Sequence, residues 1–226
     1  YLSHFYPEIK LDAPKAPLRM GIADKSNLLQ LMDTVDRDLM YRKYWYLSGT
    51  NKTMTNQLKD IVNIIPDWLR LNVNDLVLDI GCNDGTLLKH YPKEHRITKV
   101  GIDPAQNIAE IGKKFCDLHL CDYFTSDKFL LLTNNKKAKV ITSIAMFYDL
   151  PDPLKFANDI KNVLTNDGVW HVEMSYMPSM LNNSSYDTIC HEHLEYYSVK
   201  SLKYLMDLAN LKIINISFNQ INGGSI

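Results

Sequence analysis

Leu76, Val77 and Leu78 run without a polar break into Asp79 and Ile80. A strand buried on both faces reads this way, because neither of its sides meets water. Comparable short apolar runs follow near 98–102, 118–121, 139–143 and 169–173. Between them the apolar residues change to helical spacing. Met54, Leu58, Ile61, Ile64 and Ile65 predict a helix over about 52–69, and Ile108, Ile111 and Phe115 predict one over 106–115. Leu154, Ala157, Ile160 and Leu164 predict another, capped by Asp152, opened by Pro153 and stopped at Asn166-Asp167-Gly168. A helix near 199–209 then leads into a last strand, 211–218. Strands alternating with helices predict an α/β fold, a Rossmann-like, doubly wound, mainly parallel sheet. Residues 1–35, with Pro7, Pro14 and Pro17, show no period and read as irregular; 177–197 is polar and equally aperiodic.

This pattern divides the chain into an N-terminal extension or lid, residues 1–50, and a sheet domain, residues 51–226. The closing Asn222-Gly223-Gly224-Ser225-Ile226 resembles the entry to a further strand, so the expectation is a domain cut short at its C-terminal side.

The composition narrows the classes. At 226 residues and 46% hydrophobic, the chain can bury one large core plus an appendage. A net charge of -1 supplies no basic field for nucleic acid. No apolar run is long enough to cross a membrane, and no signal peptide is visible behind Tyr1. Cys82, Cys116, Cys121 and Cys190 form no CxxC pair and have no metal-ligand spacing, so reduced thiols in a cytoplasmic protein are expected, with no metal.

Chemistry enters at the end of the first strand. Asp79 is followed by Gly81, Asn83 and Gly85, then by the apolar helix start Leu87-Leu88. Glycines there let the backbone turn and a ligand approach, at the carboxyl edge where open α/β sheets bind ligands. Asp103 ends the next strand, where an acid can accept from ribose hydroxyls. A dinucleotide fingerprint has glycine where this chain has Asn83, and no P-loop lysine is present. A loop without a cation, opening on an acid, suits a nucleoside without phosphates that carries a positive sulfonium and amine, which is S-adenosylmethionine.

A second segment, Cys190-His191-Glu192-His193-Leu194-Glu195-Tyr196-Tyr197, follows the fifth strand. Three readings fit it. A zinc protease motif needs His at its fifth position, where Glu195 stands. Histidines hydrogen-bonded within a loop are another. An acid/base site is the third, since His titrates near neutrality and Glu or Tyr can orient it.

Taken together, Tyr44-Trp45-Tyr46-Leu47-Ser48-Gly49-Thr50-Asn51, the Asp79–Leu88 loop, Gly101-Ile102-Asp103-Pro104-Ala105, Tyr186-Asp187-Thr188-Ile189, His191-Glu192-His193-Leu194 and Gly223-Gly224-Ser225 resemble the bacterial C-methyltransferases of nucleotide-linked 4-keto-6-deoxy sugars. The resemblance covers roughly residues 16–226. It implies a class I methyltransferase fold, S-adenosylmethionine as cofactor, and a small-molecule sugar nucleotide as acceptor. It also implies a zinc-binding N-terminal lobe. Where the family has its last zinc cysteines this chain reads Ala23-Asp24-Lys25-Ser26, so no zinc is expected. Two further departures are Cys190, where many members have Tyr, and Phe147, where many have His.

The implied roles follow. His193 is the base that takes a proton from the carbon beside the ketone. Glu192 orients it or the sugar, and His191 or a tyrosine bonds the enolate oxygen. Gly81, Asn83 and Gly85 line the cofactor, Asp79 meets its amine, Asp103 its ribose and Asp122 its adenine amine. Asp122 reads equally well as a turn acid. Ser143 and Ala145 lie beneath the methionine, and Tyr46, Ser48 and Gly49 close the pocket. Two other functions remain open at this point: O-methylation of a small molecule, and a non-catalytic binding module on the same fold. The oligomeric state is not encoded in any of these motifs.

Overall fold

The computed structural model describes residues 15–65 and 68–226. In chain order the elements are β1 (Met20–Ile22), β2 (Leu29–Leu31), α1 (Arg37–Tyr41), α2 (Lys52–Ile64), β3 (Leu76–Ile80), α3 (Thr86–Lys89), β4 (Thr98–Ile102) and α4 (Ala109–Gly112). They continue with β5 (Leu118–Leu120), α5 (Ser126–Leu132), β6 (Ala138–Ile144), α6 (Pro153–Val163), β7 (Leu164–Glu173), α7 (Met177–Asn182), β8 (Glu195–Tyr196) and α8 (Val199–Leu208). The chain forms two compact units. One takes residues 42–144 and 158–172; the other takes the described residues up to Tyr41 with 145–157 and 173–226.

The first unit is built on a five-stranded sheet of order β5-β4-β3-β6-β7. The pairs β3–β4, β4–β5 and β3–β6 run parallel, with Leu78 opposite both Val100 and Ile141. All five residues of β3 are buried, which is what its unbroken apolar run requires of a central strand. From β3 the chain winds one way to β4 and β5, and the other way to β6 and β7. The order therefore reverses between β3 and β6, and it is beyond the carboxyl ends of strands at such a reversal that open α/β sheets bind ligands. Helix α2 buries Met54, Leu58, Ile61 and Val62 on one stripe, and the Asn51 side chain caps it by accepting from the Met54 N–H at 3.2 Å. It ends at Ile64, short of the expected 69; positions 66 and 67 of that stretch lie outside the described residues.

The other unit holds a three-stranded antiparallel sheet, β1-β2-β8, with Met20 opposite Leu31 and Leu29 opposite Tyr196. Leu31, Met180, Leu194 and Tyr196 form its small core. Residues 20–22 and 29–31 are thus strands, not irregular chain; the expectation for positions 1–14 lies outside the described residues. Three-residue strands show no period, so nothing in the sequence pattern marks them. Helix α8 opens with a capping box between Ser198 and Ser201 and buries Leu202 and Met206.

Segment 211–218 is another correction. It has strand composition, yet it runs without a ladder partner among the described residues, with Ile214 at 58% and Phe218 at 59% exposed. Alternating apolar residues stabilise a strand only where a neighbour takes up its backbone groups. Beyond it Asn219 and Ser225 form an isolated antiparallel bridge. No helix among the described residues is long and apolar enough to cross a membrane.

Candidate active site

In the sheet unit, β3 ends at Ile80 and the chain turns sharply. Gly81 (φ 72°), Asn83 (φ 51°) and Gly85 (φ 77°) all adopt the left-handed conformation. A Cβ on Gly85 would stand 2.9 Å from the Gly112 carbonyl oxygen, so only glycine fits. Asp103, at the end of β4, is buried and accepts from two backbone N–H groups: Asn83 to Oδ2 and Ala105 to Oδ1, both at 2.8 Å. One lone pair on each oxygen is thereby fixed, and the carboxylate keeps acceptor capacity for a pair of hydroxyls. Burial raises its pKa against the pull of those two donors. Asp79 is 3% exposed and takes the Thr142 hydroxyl at 2.6 Å. Burial pushes its carboxyl up to about 7, opposed by Thr142 and aided by the Asp103 charge.

Asn83 does a second job. Its Nδ2 donates to the Tyr46 carbonyl at 2.9 Å, and its Oδ1 accepts from the Ser48 N–H at 3.0 Å. Beside it, Asp84 Oδ2 accepts from the Gly49 N–H at 2.8 Å, while Oδ1 accepts from the Thr86 hydroxyl at 2.6 Å. Tyr46, Ser48 and Gly49 are therefore drawn to the glycine loop by two side chains, Asn83 and Asp84. Asp84 is a functional candidate the sequence reading missed. Its one signal is that it lies between Asn83 and Gly85 in the loop itself.

Other expected contacts turn out to be engaged elsewhere. The Asp122 oxygens meet Lys128 Nζ at 2.5 Å and the Arg42 guanidinium at 3.2 Å. Burial works against its charge, but those cations and the Tyr123 N–H hold its pKa low. Ser143 is fully buried, and its hydroxyl accepts from the Trp170 indole N–H at 3.1 Å. Beneath the loop, a Cβ on Gly101 would come within 2.6 Å of the Cys116 sulfur and 2.9 Å of the Cys82 sulfur. The neighbouring Cys116 thiol, then burial, pushes the Cys82 pKa well up.

In the other unit, His193 lines a small recess with Tyr148, Ser175, Thr188, Glu195 and Tyr196. Its Nδ1 lies 2.7 Å from the Thr188 carbonyl oxygen. A carbonyl only accepts, so Nδ1 carries the proton and Nε2 presents a lone pair. Tyr148 packs edge-on against the ring at 4.6 Å. Burial lowers the His193 pKa, opposed by the Thr188 bond and the Glu192 charge, so the ring is neutral at neutral pH. Glu192 is buried, with Oε1 unbonded, and its backbone carbonyl accepts from the Tyr41 hydroxyl at 3.1 Å. Near it lie Asp149 and Glu195. Burial, then the charges of Glu192 and Glu195, push Asp149 well above the carboxylate range.

His191 does not join this group: its Nε2 lies 3.2 Å from the Ala16 and 3.0 Å from the Pro17 carbonyl oxygen. Phe147 is fully buried, against Phe156 at 5.8 Å and Tyr197 at 5.4 Å. The ring in place of a histidine is thus a core residue. No group of three His, Cys, Asp or Glu among the described residues is arranged to hold a metal.

The residues of the loop suit S-adenosylmethionine. Asp79 and Asp103 supply acids for an amine and a ribose, and no cation stands in the Asp79–Gly85 stretch to meet a phosphate. Comparisons with known proteins agree. A protein family described as "Methyltransferase domain" matches residues 51–216. The C-methyltransferase NovU of Streptomyces niveus is 26% identical over 211 residues, 93% of this chain and 50% of NovU, so the chain spans about half that protein's length. Among solved structures, the plantazolicin methyltransferase BamL, in complex with a desmethylPZN analog and SAH, aligns with a TM-score of 0.59 at 16% identity, covering 76% of this chain and 68% of BamL. The cyclopropane synthase MmaA2 of Mycobacterium tuberculosis aligns at 0.58 and 14% identity, covering 83% of this chain and 72% of that one. At such identities the structures speak for the Rossmann-like fold alone. The matched family spans most of the chain, including the glycine loop and both strand-end acids: this chain belongs to the methyltransferase-domain family, with S-adenosylmethionine as its cofactor.

Proposed function

We propose that the protein methylates a carbon beside a ketone of a nucleotide-linked deoxy sugar, with His193 as general base. The observation that carries this reading is the tautomer of His193. The Thr188 carbonyl holds the proton on Nδ1, leaving Nε2 as an acceptor in a recess whose burial keeps the ring neutral. The likeness to NovU favours carbon over oxygen as the methylated atom.

When bound, S-adenosylmethionine supplies an electrophilic methyl group on a sulfonium. Asp103 would hold the ribose hydroxyls and Asp79 the amino group. Asn83 and Asp84 would keep segment 46–49 against the loop. His193 Nε2 would take the proton from the carbon next to the carbonyl, and Glu192 would orient the sugar. Since the donor is already activated, the chain's work is positioning and proton removal.

The test is a product analysis. The protein is incubated with methyl-13C S-adenosylmethionine and a nucleoside-diphosphate-linked 4-keto-6-deoxy sugar, and the product is read by NMR. A 13C methyl bonded to carbon supports the proposal. A methyl ether would make the protein an O-methyltransferase, and an unlabelled sugar from protein that binds SAH would remove this acceptor class.

A further inference from the structure

Glu195 belongs to β8, two residues beyond His193, and lines the same recess. It is 7% exposed, and its Oε2, sealed from water, has no hydrogen-bond partner among the described residues. A buried carboxyl oxygen without a partner costs free energy, and such an orphan in a recess calls for an explanation. The groups facing Glu195 are Asp149 and Tyr197, both acids; His193, Tyr148 and Tyr196 stand around the same recess.

We propose that Glu195 is a second catalytic residue: its carboxylic acid donates a hydrogen bond to the acceptor's carbonyl oxygen while His193 Nε2 removes the proton from the adjacent carbon. This rests on the C-methylation reading above. Two features of the site support it. Burial pushes the Glu195 pKa up to about 9, so the group holds its proton at neutrality and is a donor. Burial pushes His193 the other way, so one recess holds a neutral acid and a neutral base at the same pH.

The step balances. The C–H electron pair becomes the C=C bond, and the carbonyl π pair moves to oxygen, where the Glu195 O–H meets the new negative charge. The proton resides on His193 and leaves to solvent after the methyl is taken up by carbon. Glu195 ends the cycle with its own proton.

Proton removal can be watched without the methyl donor. The protein and a nucleoside-diphosphate-linked 4-keto-6-deoxy sugar are mixed in D2O, and loss of the proton beside the ketone is followed by NMR. Wild type exchanges it. Glu195→Ala slows exchange by about 10²-fold, the size of effect seen when one donor to an oxyanion is removed. Glu195→Gln, which still donates through its amide, recovers most of the rate. Wild-type exchange falls as the pH passes about 9, whereas Glu195→Gln has no such fall, because its donor does not titrate. Exchange at the wild-type rate in Glu195→Ala, or a Glu195→Gln as slow as Glu195→Ala, overturns the role of Glu195 and leaves that of His193 standing. If Glu195→Ala does not fold, the pH profile of Glu195→Gln decides alone: a fall unchanged from wild type overturns the inference. If wild type neither exchanges nor methylates the sugar, the functional reading fails and the inference falls with it.

Discussion

Two groups of buried acids, one in each unit, are treated in opposite ways. Around the glycine loop, Asp79, Asp84 and Asp103 each accept at least one hydrogen bond at 2.8 Å or less. In the unit carrying His193, Asp149, Glu192 and Glu195 each leave an oxygen sealed from water and unbonded. The first pattern is a site fixed before anything binds, suited to a cofactor whose groups do not vary. The second stores unmet hydrogen-bonding capacity, which a substrate can satisfy. On the proposed function, selectivity toward the acceptor would belong to the second unit and affinity for the cofactor to the first.

Mutations that separate the two put this division at risk. The largest effect expected is from His193→Ala: methyl transfer falls by about 10²- to 10⁴-fold, the usual contribution of a general base. SAH affinity, measured by calorimetry, stays at the wild-type value; a parallel loss of affinity would break the division. Next comes the pH dependence of stability. Asp79 and Glu195 have folded-state pKa values raised to about 7 and about 9. Each native carboxyl therefore binds its proton more tightly than the unfolded chain does. The stability this gives is complete below about pH 4 and is lost as pH rises through the folded values. Asp149, raised as well, acts in the same sense. Melting temperature should fall as the pH is raised from about 4 to 9. Asp79→Asn removes its share of the slope below about pH 7, whereas Glu195→Gln lessens the slope over the whole range from about 4.5 to about 9. Identical profiles for wild type and both variants would show that neither carboxyl titrates in that range.

Smaller effects probe the cofactor unit alone. Asp103→Ala should weaken SAH binding by roughly 1.5–3 kcal/mol, or about 10- to 150-fold, the worth of hydrogen bonds to a charged group. It also strands the Asn83 and Ala105 N–H groups, so melting of the free protein drops too. Unchanged affinity would remove the ribose contact. Gly85→Ala forces a Cβ toward the Gly112 carbonyl at a positive φ, and should cost about 1–3 kcal/mol of stability by thermal melting. An unchanged melting temperature would mean that the loop relaxes without strain.

The central sheet was legible because its middle strand, β3, is buried on both faces. Leu76–Ile80 can scarcely be read another way, and the structure gives those limits. Helix α2 was equally plain, since five apolar residues recur on one stripe. The β1-β2-β8 sheet was not legible: strands of two and three residues carry too few positions for alternation to show, and the sheet exists only through pairings between residues such as Gln30 and Glu195. At 211–218 the failure was the reverse, because composition alone suggested a strand and only the fold reveals whether a neighbour exists. The same holds for the sites. Asp79, Asp103 and the glycines could be named from a local motif. The bonds of Asn83 to Tyr46 and Ser48 join positions 35 or more apart in sequence, and no local pattern encodes them. Glu195 enters the sequence reading only as the residue that breaks a zinc motif, and its burial shows only in the fold. His191 was grouped with His193 by adjacency, yet its ring turns to the carbonyls of Ala16 and Pro17.

Gly101 has a use beyond packing. Because it has no side chain, the sulfurs of Cys82 and Cys116 occupy the space beneath the cofactor loop, and Cys82 is 3% exposed. An alkylating reagent can reach that thiol only when the loop lifts from the sheet. The rate at which Cys82 is labelled is therefore a clock for loop opening, wired into the natural sequence and readable by mass spectrometry without any engineered probe. SAH should slow that clock in proportion to how firmly it keeps the loop down.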